Sequence, residues 1–165
     1  MVEKNIALST MAERAYLAGF VDGEGCFHIG KAKASNQSGY HPTLTVCNTN
    51  IKVLEYIQTI FGGTLQVLPY KNYPKWKPRG VLAWSSTNMR KVITMILPFL
   101  VIKKEHAEIV LGLQATKLNR NEAGRSKKLN YSTRLFRAEA RKRLTELNYR
   151  GIKPLKEESE KVLAI

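Results

Sequence analysis

Acidic residues and cysteines are scarce in this sequence. Its 165 residues contain 27 lysines and arginines against 13 aspartates and glutamates, and Asp22 is the only aspartate. The formal net charge of +14 and the pI near 9.9 predict a polyanionic partner, with simple solubility or a membrane-surface patch as the alternatives. Two cysteines cannot form a disulfide framework. We therefore expect a reduced, intracellular protein, in the cytoplasm of a prokaryote or in an organelle.

Long apolar runs are also absent, as are a signal peptide and a nucleophilic serine or cysteine motif. No stretch is apolar enough to span a bilayer, so no membrane partner is expected. Cys26, His28 and Cys47 are too loosely spaced to indicate a zinc site strongly. His41 and His106 are interpreted as a loop residue and a helix-surface residue.

The charge that is present is unevenly distributed. Residues 1–70 carry five basic and five acidic side chains, whereas residues 71–165 carry 22 basic and 8 acidic ones. The length and the 44% hydrophobic content fit a single domain over residues 1–165. We place its core at about residues 10–118 and a basic C-terminal extension at about residues 119–165.

The segment 10–27 is predicted to form the helix around which the chain is organised. Thr10 and Glu13 have the spacing of a capping box, which satisfies two amide donors at a helix start. Apolar residues and good helix formers follow, and glycines end the helix near Gly23. Gly19 and Gly23 lie four residues apart, so they share a helix face that another backbone can approach closely.

Two acids stand at the carboxyl end of this helix. Asp22 and Glu24 lie where the helix macrodipole is already negative and carboxylates are disfavoured. A carboxylate in such a place indicates a nearby cation. The residues alone leave a salt bridge to a lysine and a metal site equally open.

The remaining pattern alternates between strands and helices. Residues 64–68 and 81–85 are predicted strands, as are residues 27–33 and 43–48, which a turn at 35–39 joins. Helices are predicted from an Asn50 cap to residue 61, from an Asn88 cap until Pro98 interrupts the pattern, from Lys103 to about residue 117, and over residues 132–148. The last of these would be anchored by Leu135, Phe136, Leu144 and Leu147, and a short helix in the tail 153–165 is also predicted. This order predicts an α+β fold, with four antiparallel strands covered on one side by helices.

The uncovered face of such a sheet is predicted to be small and polar. By alternation it carries Cys26, His28, Gly30, Ala32, Thr43, Thr45, Gln66 and Arg79. A ribbon of this kind fits the DNA major groove, where Lys31 and Lys33 would add charge. The following loop would reach flanking phosphates through Lys71, Lys75, Lys77 and Arg79, with Tyr73 or Trp76 as a packing anchor. The alternative is a solvated sheet face beside a flexible basic loop.

The nine residues from Leu17 to Gly25, LAGFVDGEG, resemble the signature helix of the LAGLIDADG homing endonucleases. The order of elements agrees with that family over most of the chain, and a single copy of the motif is present. The resemblance implies an αββαββα core with a saddle-shaped sheet and additional C-terminal helices. It also implies a homodimer that hydrolyses both strands of a long pseudo-palindromic DNA site and leaves 3′ overhangs. In this family the signature helices of two copies pack side by side, which here implicates Ala15, Ala18 and Gly19.

The same resemblance assigns the candidate catalytic residues. Glu24, where the family more often has Asp, would be the direct metal ligand, with the Gly23 carbonyl as a second ligand and Asp22 as a runner-up or an orienting group. Asn48 corresponds to the polar residue that positions the water nucleophile, Lys52 to a nearby basic partner and Lys103 to the active-site lysine. Such an oxygen-rich site suits Mg²⁺, or Mn²⁺, and Ca²⁺ would occupy it without supporting cleavage.

Two other functions remain open from the sequence. The basic segment from Lys117 to Arg143 is compatible with an RNA maturase that assists splicing of a host intron. A non-catalytic nucleic-acid-binding module would need the charge but not the acids.

Overall fold

A computed structural model of the protein describes residues 8–31, 39–71, 73, 75–117 and 130–149. These ranges contain five helices and four strands. The helices are α1 (Met11–Glu24), α2 (Ile51–Phe61), α3 (Ser86–Ile96), α4 (Lys104–Ala115) and α5 (Tyr131–Leu147). The strands are β1 (Gly25–Lys31), β2 (Tyr40–Asn48), β3 (Thr64–Leu68) and β4 (Arg79–Ser85). The α+β prediction and the element order are confirmed, whereas Ala32, Lys33 and the tail 153–165 lie outside the described residues.

The four strands form one antiparallel sheet in the order β1-β2-β4-β3. Buried and more exposed residues alternate along β1, β2 and β4, as a sheet covered on one face requires. The buried set packs beneath the helices and consists of Phe27, Ile29, Leu44, Val46, Leu82 and Trp84. The opposite face of the sheet carries the more exposed residues.

The path from α2 into β3 is fixed by two glycines and a tryptophan. Gly62 and Gly63 have φ angles of 66° and 102°, which side chains rarely adopt. A Cβ atom at Gly63 would lie 2.8 Å from Trp84 Nε1, which donates a hydrogen bond to the Phe61 carbonyl at 3.1 Å. Glycine is therefore needed for the chain to pass the buried indole.

Two predicted helix caps are wrong. Asn50 precedes α2 but its side chain makes no capping bond; instead Asn48 Oδ1 accepts from the Asn50 N–H at 2.8 Å. Helix α3 begins at Ser86, so Asn88 lies in its first turn rather than capping it. The predicted break at Pro98 is confirmed, because a single 3-10 turn over Leu97–Phe99 follows α3.

Helix α5 covers the outer edge of β1. Arg141 Nε donates to the Ile29 carbonyl at 3.2 Å, and Asn148 Nδ2 donates to the Phe27 carbonyl at 2.8 Å. These bonds satisfy acceptors that an edge strand otherwise leaves exposed. The predicted anchor Leu135 is wrong, since it is 47% exposed. Phe136 is 43% exposed, but its ring lies against Gly112 of α4, with Cζ 3.5 Å from where a Cβ atom would be.

The buried residues of α5 supply its remaining contacts. Leu144 is buried as expected, and Ala140 joins it in the core. Arg137 is buried as well, and its guanidinium donates to Thr116 Oγ1 at 2.8 Å and to the Thr116 carbonyl at 2.7 Å. A buried arginine of α5 thus caps the end of α4. Helix α5 can therefore pack on the core with fewer apolar residues than predicted.

The two histidine predictions are also wrong. His41 belongs to β2 rather than to a loop. His106 is only 9% exposed in the first turn of α4, with its ring centroid 6.2 Å from that of Phe27. Its Nδ1 atom is buried and has no hydrogen-bond partner among the described residues.

Candidate metal centre and nucleic-acid interface

The capping box at the start of α1 is present and sets where the helix begins. The Thr10 N–H donates to the Glu13 carboxylate at 2.7 Å, and the Glu13 N–H donates to Thr10 Oγ1 at 3.2 Å. With its start fixed, the helix ends at Glu24, and β1 follows at Gly25 without an intervening residue. A Cβ atom at Gly25 would lie 2.5 Å from the Val21 carbonyl oxygen, so this sharp junction requires glycine.

Asp22 is held by the chain segment that leads into α4. Its carboxylate accepts from the Val101 N–H at 2.8 Å and from the Lys103 N–H at 2.9 Å. Partial burial raises the pKa of Asp22, but these backbone donors and the Lys103 charge outweigh it, so the pKa lies below its ordinary value of 3.8. The carboxylate is therefore ionised and fully engaged in fixing the end of α1.

The Lys103 side chain bonds in turn to the end of α1. Its Nζ atom donates to the Val21 carbonyl at 2.9 Å and to the Asp22 carbonyl at 2.6 Å. A cation at this position offsets the negative end of the helix macrodipole. The Val21 carbonyl also accepts from the Gly25 N–H, so it is shared between the helix and Lys103. Asp22 and Lys103 thus form a reciprocal clamp between α1 and the segment 101–103.

Glu24 and Gly23 present oxygen atoms beside this clamp. Both residues are exposed, and the Glu24 carboxylate makes no hydrogen bond or salt bridge within the described ranges. Gly25 pairs with Val46 in the register of β1 and β2. Glu24 therefore lies opposite Cys47, where α1 ends and β1 begins. A carboxylate and a carbonyl are hard ligands of the type that Mg²⁺ prefers. The donor set therefore fits a magnesium ion, although it is too small to hold one alone.

No cluster of three or more His, Cys, Asp or Glu residues suited to a metal occurs in the described parts of the chain. Cys26 is exposed and Cys47 partly buried on the open face. Partial burial, together with the Cys26 and Glu24 charges, raises the pKa of Cys47 against the opposing effect of Arg79. The described residues therefore give no support to the zinc alternative.

Asn48 and Lys52 lie on either side of the turn between β2 and α2. Because Asn48 Oδ1 accepts from the Asn50 N–H, the Nδ2 group is the part of that side chain left to meet a water or a phosphate. Lys52 is exposed in the first turn of α2. Asn48 ends β2 on the side of the buried Leu44 and Val46 rather than on the open face. Lys52 makes no hydrogen bond or salt bridge to another site residue among those described.

The open sheet face is continuous across the four strands. Between β1 and β2, His28 is paired with Thr43, and Cys26 with Thr45. Between β3 and β4, Gln66 is paired with Val81. Arg79 follows the same alternation at the start of β4. Lys31 does not, because its position falls on the side of Phe27 and Ile29; it is exposed only because the strand ends there.

The basic loop between β3 and β4 carries its aromatic rings at the surface. Lys71, Lys75 and Lys77 are exposed, as predicted. Tyr73 and Trp76 do not anchor the loop to the sheet; they are 54% and 59% exposed and stack on each other.

The outer face of α1 carries small, exposed residues. Ala15, Gly19 and Gly23 are exposed, and no atom lies within 4 Å of a Cβ atom built at either glycine. Ala18 was expected on this face, but it is fully buried in the core of its own chain. The helix periodicity places it with Leu17 and Val21 on the opposite side, so its assignment to a dimer interface is wrong.

The family model described as LAGLIDADG endonuclease matches residues 17–109. This segment includes α1 from the start of the signature to the first half of α4, which is more than half of the chain. The chain belongs to the LAGLIDADG endonuclease family. No curated protein sequence matches it.

Solved LAGLIDADG structures share the fold. The homing endonuclease I-CvuI, in complex with the I-CreI target in the presence of Mg, is 24% identical with a TM-score of 0.65 over 86% of this chain and 85% of that one. The same enzyme with its own target and Ca is 23% identical, with a TM-score of 0.64 over 87% and 88%. The archaeal intron-encoded homing endonuclease I-Vdi141I, complexed with DNA, is 18% identical, with a TM-score of 0.66 over 87% and 88%.

Several residues of this LAGLIDADG site were not found by sequence reasoning. The amides of Val101 and Lys103 that hold Asp22 come from 79 and 81 residues along the chain, and a backbone donor has no residue-type signal. Tyr70, which contacts both Trp76 and Arg79, had a signal in the clustering of aromatic and basic residues in this loop.

Among the described residues, no helix has both the length and the hydrophobicity needed to cross a bilayer.

Proposed function

We propose that this LAGLIDADG protein is a homing endonuclease that cuts both strands of a long pseudo-palindromic DNA site and leaves 3′ overhangs. The observation that carries the proposal is the exposed pair of oxygen donors at the end of α1, on Glu24 and Gly23, beside a continuous polar sheet face. Family membership and the DNA-bound relatives support it.

The proposed catalytic centre is assembled from two copies of the chain and the DNA. Among the described residues, the end of α1 supplies one carboxylate, Glu24, and the Gly23 carbonyl, so the remaining ligands would come from phosphate oxygens, water and the second copy. A bound Mg²⁺ or Mn²⁺ ion would stabilise the charge that develops on the attacking and leaving oxygens, and Ca²⁺ would bind without supporting cleavage. Solved relatives with Mg and with Ca support a divalent ion.

The clamp residues orient this centre. Asp22 fixes the last turn of α1 and thereby the direction of the Glu24 side chain, so we assign it an orienting role rather than ligation. Lys103 places its ammonium group at the carboxyl end of α1, where it would offset negative charge at the scissile phosphate. Asn48, through Nδ2, and Lys52 are proposed to act on the water nucleophile and the adjacent phosphate.

DNA would lie along the open sheet face. His28, Thr43, Thr45 and Gln66 project from that face and are proposed to meet base edges in the major groove. Phosphate contacts at the flanks are proposed for Lys31, Lys71, Lys75, Lys77 and Arg79.

Dimerisation is proposed to use the outer face of α1, which carries small residues. Small residues let two helix backbones approach closely, and Ala15, Gly19 and Gly23 form such a stripe. A symmetric pairing of this face would bring both Glu24 residues to the two-fold axis, one for each scissile phosphate.

Cleavage of duplex DNA that spans the protein's own insertion site tests the proposal. With end-labelled strands, the parent protein should cut both strands in Mg²⁺ and neither in EDTA. Glu24→Gln should bind the same DNA without cutting it, whereas Glu55→Gln, which removes an exposed carboxylate of α2, should cut like the parent. Undiminished cleavage by Glu24→Gln would overturn the assignment, and binding without cleavage by the parent in any divalent ion would favour the plain binding module.

A further inference from the structure

The loop between β3 and β4 carries a cluster of three aromatic rings that the proposed cleavage reaction does not use. The Tyr73 and Trp76 rings stack with centroids 4.5 Å apart and planes 19° from parallel. Tyr70 meets Trp76 edge-on at 5.4 Å, and the Arg79 guanidinium lies 5.7 Å above the Tyr70 ring. We call Tyr70, Tyr73 and Trp76 the aromatic plate.

The plate is held in place by backbone as well as by ring contacts. The Tyr73 N–H donates to the Tyr70 carbonyl at 3.1 Å, and the Trp76 N–H donates to the Tyr73 carbonyl at 3.0 Å. These two bonds link the three residues to one another, and Arg79, at the start of β4, packs on the first ring. Because the rings are already ordered, a ligand that binds them loses little affinity to ordering the loop.

The exposure of these rings is unusual for their size. Tyr73 and Trp76 remain 54% and 59% exposed although each stacks on the other. Rings of this kind normally bury most of their apolar area, so a preformed plate left in solvent indicates a partner with a flat apolar face.

The charge around the plate identifies the kind of partner. Lys71, Lys75 and Lys77 are exposed in the same loop. The sequence contains no aspartate or glutamate from residue 56 to residue 104, so no carboxylate from this part of the chain neutralises them. A partner must therefore combine flat apolar surface with closely spaced negative charge, and a polynucleotide does so.

We propose that the aromatic plate binds unpaired nucleobases of a single-stranded polynucleotide. A base would stack on the exposed rings of Tyr73 and Trp76, and the loop lysines would contact the neighbouring phosphates. A paired duplex hides its base faces within the stack, so it would use the lysines but not the plate. The site is separate from Glu24 and its function does not depend on cleavage.

Tryptophan fluorescence tests the stacking directly. The chain has two tryptophans, and Trp84 is 1% exposed, so quenching by a ligand reports on Trp76. Without divalent ions, a thymidine decamer should quench Trp76, whereas an abasic decamer with the same phosphates should bind more weakly and quench little. Equal affinity and equal quenching for the two decamers would overturn the proposal, since only phosphates would then be recognised.

Substitutions of the plate give the second measurement. Trp76→Leu should weaken binding of the thymidine decamer by about 5- to 150-fold, and Trp76→Phe should retain most of the affinity because it keeps a ring. Tyr131→Leu removes a ring that is 78% exposed in α5 and should change nothing. All three variants should unfold at the parent temperature, because neither residue is in the core. An unchanged affinity of Trp76→Leu, or an equal loss toward matched duplex, would contradict the proposal.

A uridine decamer separates the two sources of unpaired bases. Binding of both decamers supports a plate that reads the base alone, and tighter binding of uridine supports RNA as the natural ligand. Failure to bind either overturns the proposal. Because Glu24→Gln should bind the decamers like the parent, loss of the cleavage account would leave this result intact.

Discussion

Replacing Asp22 with asparagine should destabilise the protein, whereas replacing Glu24 with glutamine should not. Asp22 accepts two backbone hydrogen bonds, at 2.8 and 2.9 Å, from the segment before α4. A hydrogen bond to a charged group contributes about 1.5–3 kcal/mol, and a neutral one about 1 kcal/mol. Asparagine keeps one acceptor and turns an NH₂ group toward the other donor.

The expected loss is smaller than the full value of the two bonds because Asp22 is only half-buried and solvent screens the charge. We expect Asp22→Asn to lower the free energy of unfolding by about 2 kcal/mol at pH 7. For a chain of this size that corresponds to a fall in melting temperature of roughly 4–8 °C. Urea titration and scanning calorimetry measure both quantities.

The pH dependence of this difference has a defined sign. The pKa of Asp22 in the folded protein is below its ordinary value of 3.8, so the folded state favours the ionised carboxylate. Its contribution is fully present above that ordinary pKa and is lost as the pH falls through the lower pKa of the folded state. The stability gap between the parent and Asp22→Asn should therefore close in acid.

Glu24→Gln is the matched control. It removes an exposed carboxylate from the negative end of α1, so it should leave stability unchanged or raise it by about 0.3–1 kcal/mol while abolishing cleavage. Asp22→Asn should lower both stability and cleavage. An Asp22→Asn protein as stable as the parent, or a Glu24→Gln protein destabilised to the same extent, would refute the division of roles between the two acids.

Three further predictions concern α1, α4 and the basic loop. Gly19→Val should leave the monomer folded but convert dimer to monomer in sedimentation, whereas Gly25→Ala should destabilise the fold itself, because its Cβ would lie 2.5 Å from a carbonyl oxygen of α1; the reverse pattern would contradict the interface. Burial and a nearby lysine charge lower the pKa of His106 from 6.5, so stability should fall as the pH drops below about 6.5, by at most about 1.4 kcal/mol per unit, and His106→Gln should remove this slope in thermal melts. The slope of duplex affinity against salt should decrease by about one for each of Lys75→Gln and Lys77→Gln, and an unchanged slope would place those lysines away from phosphates.

Local signals in the sequence predicted the parts of the fold that local chemistry decides. Thr10 and Glu13 define the start of α1 through contacts three residues apart, and Gly62 with Gly63 defines the end of α2. Alternation over residues 43–48 predicted which side of β2 is buried. The signature motif predicted the family and the position of Glu24, because its glycines and acids have a fixed spacing.

Features that depend on distant contacts could not be read in the same way. Arg137 is buried because its guanidinium finds the hydroxyl and carbonyl oxygens of Thr116 at the end of α4, 21 residues away. His106 is buried because α5 and β1 close over it. Ala18 is a small residue of the kind found where two helices pack closely, but it lies on the face of α1 that packs on the sheet and is buried in the core.

Calcium binding to the protein–DNA complex tests the central claim most directly. Ca²⁺ would be titrated by calorimetry into complexes of insertion-site duplex with the parent and with Glu24→Gln, each prepared free of divalent ions. The account predicts saturable Ca²⁺ binding to the parent complex and none above the level of free DNA for the Glu24→Gln complex. Equal Ca²⁺ binding by both complexes would contradict a metal centre built on Glu24.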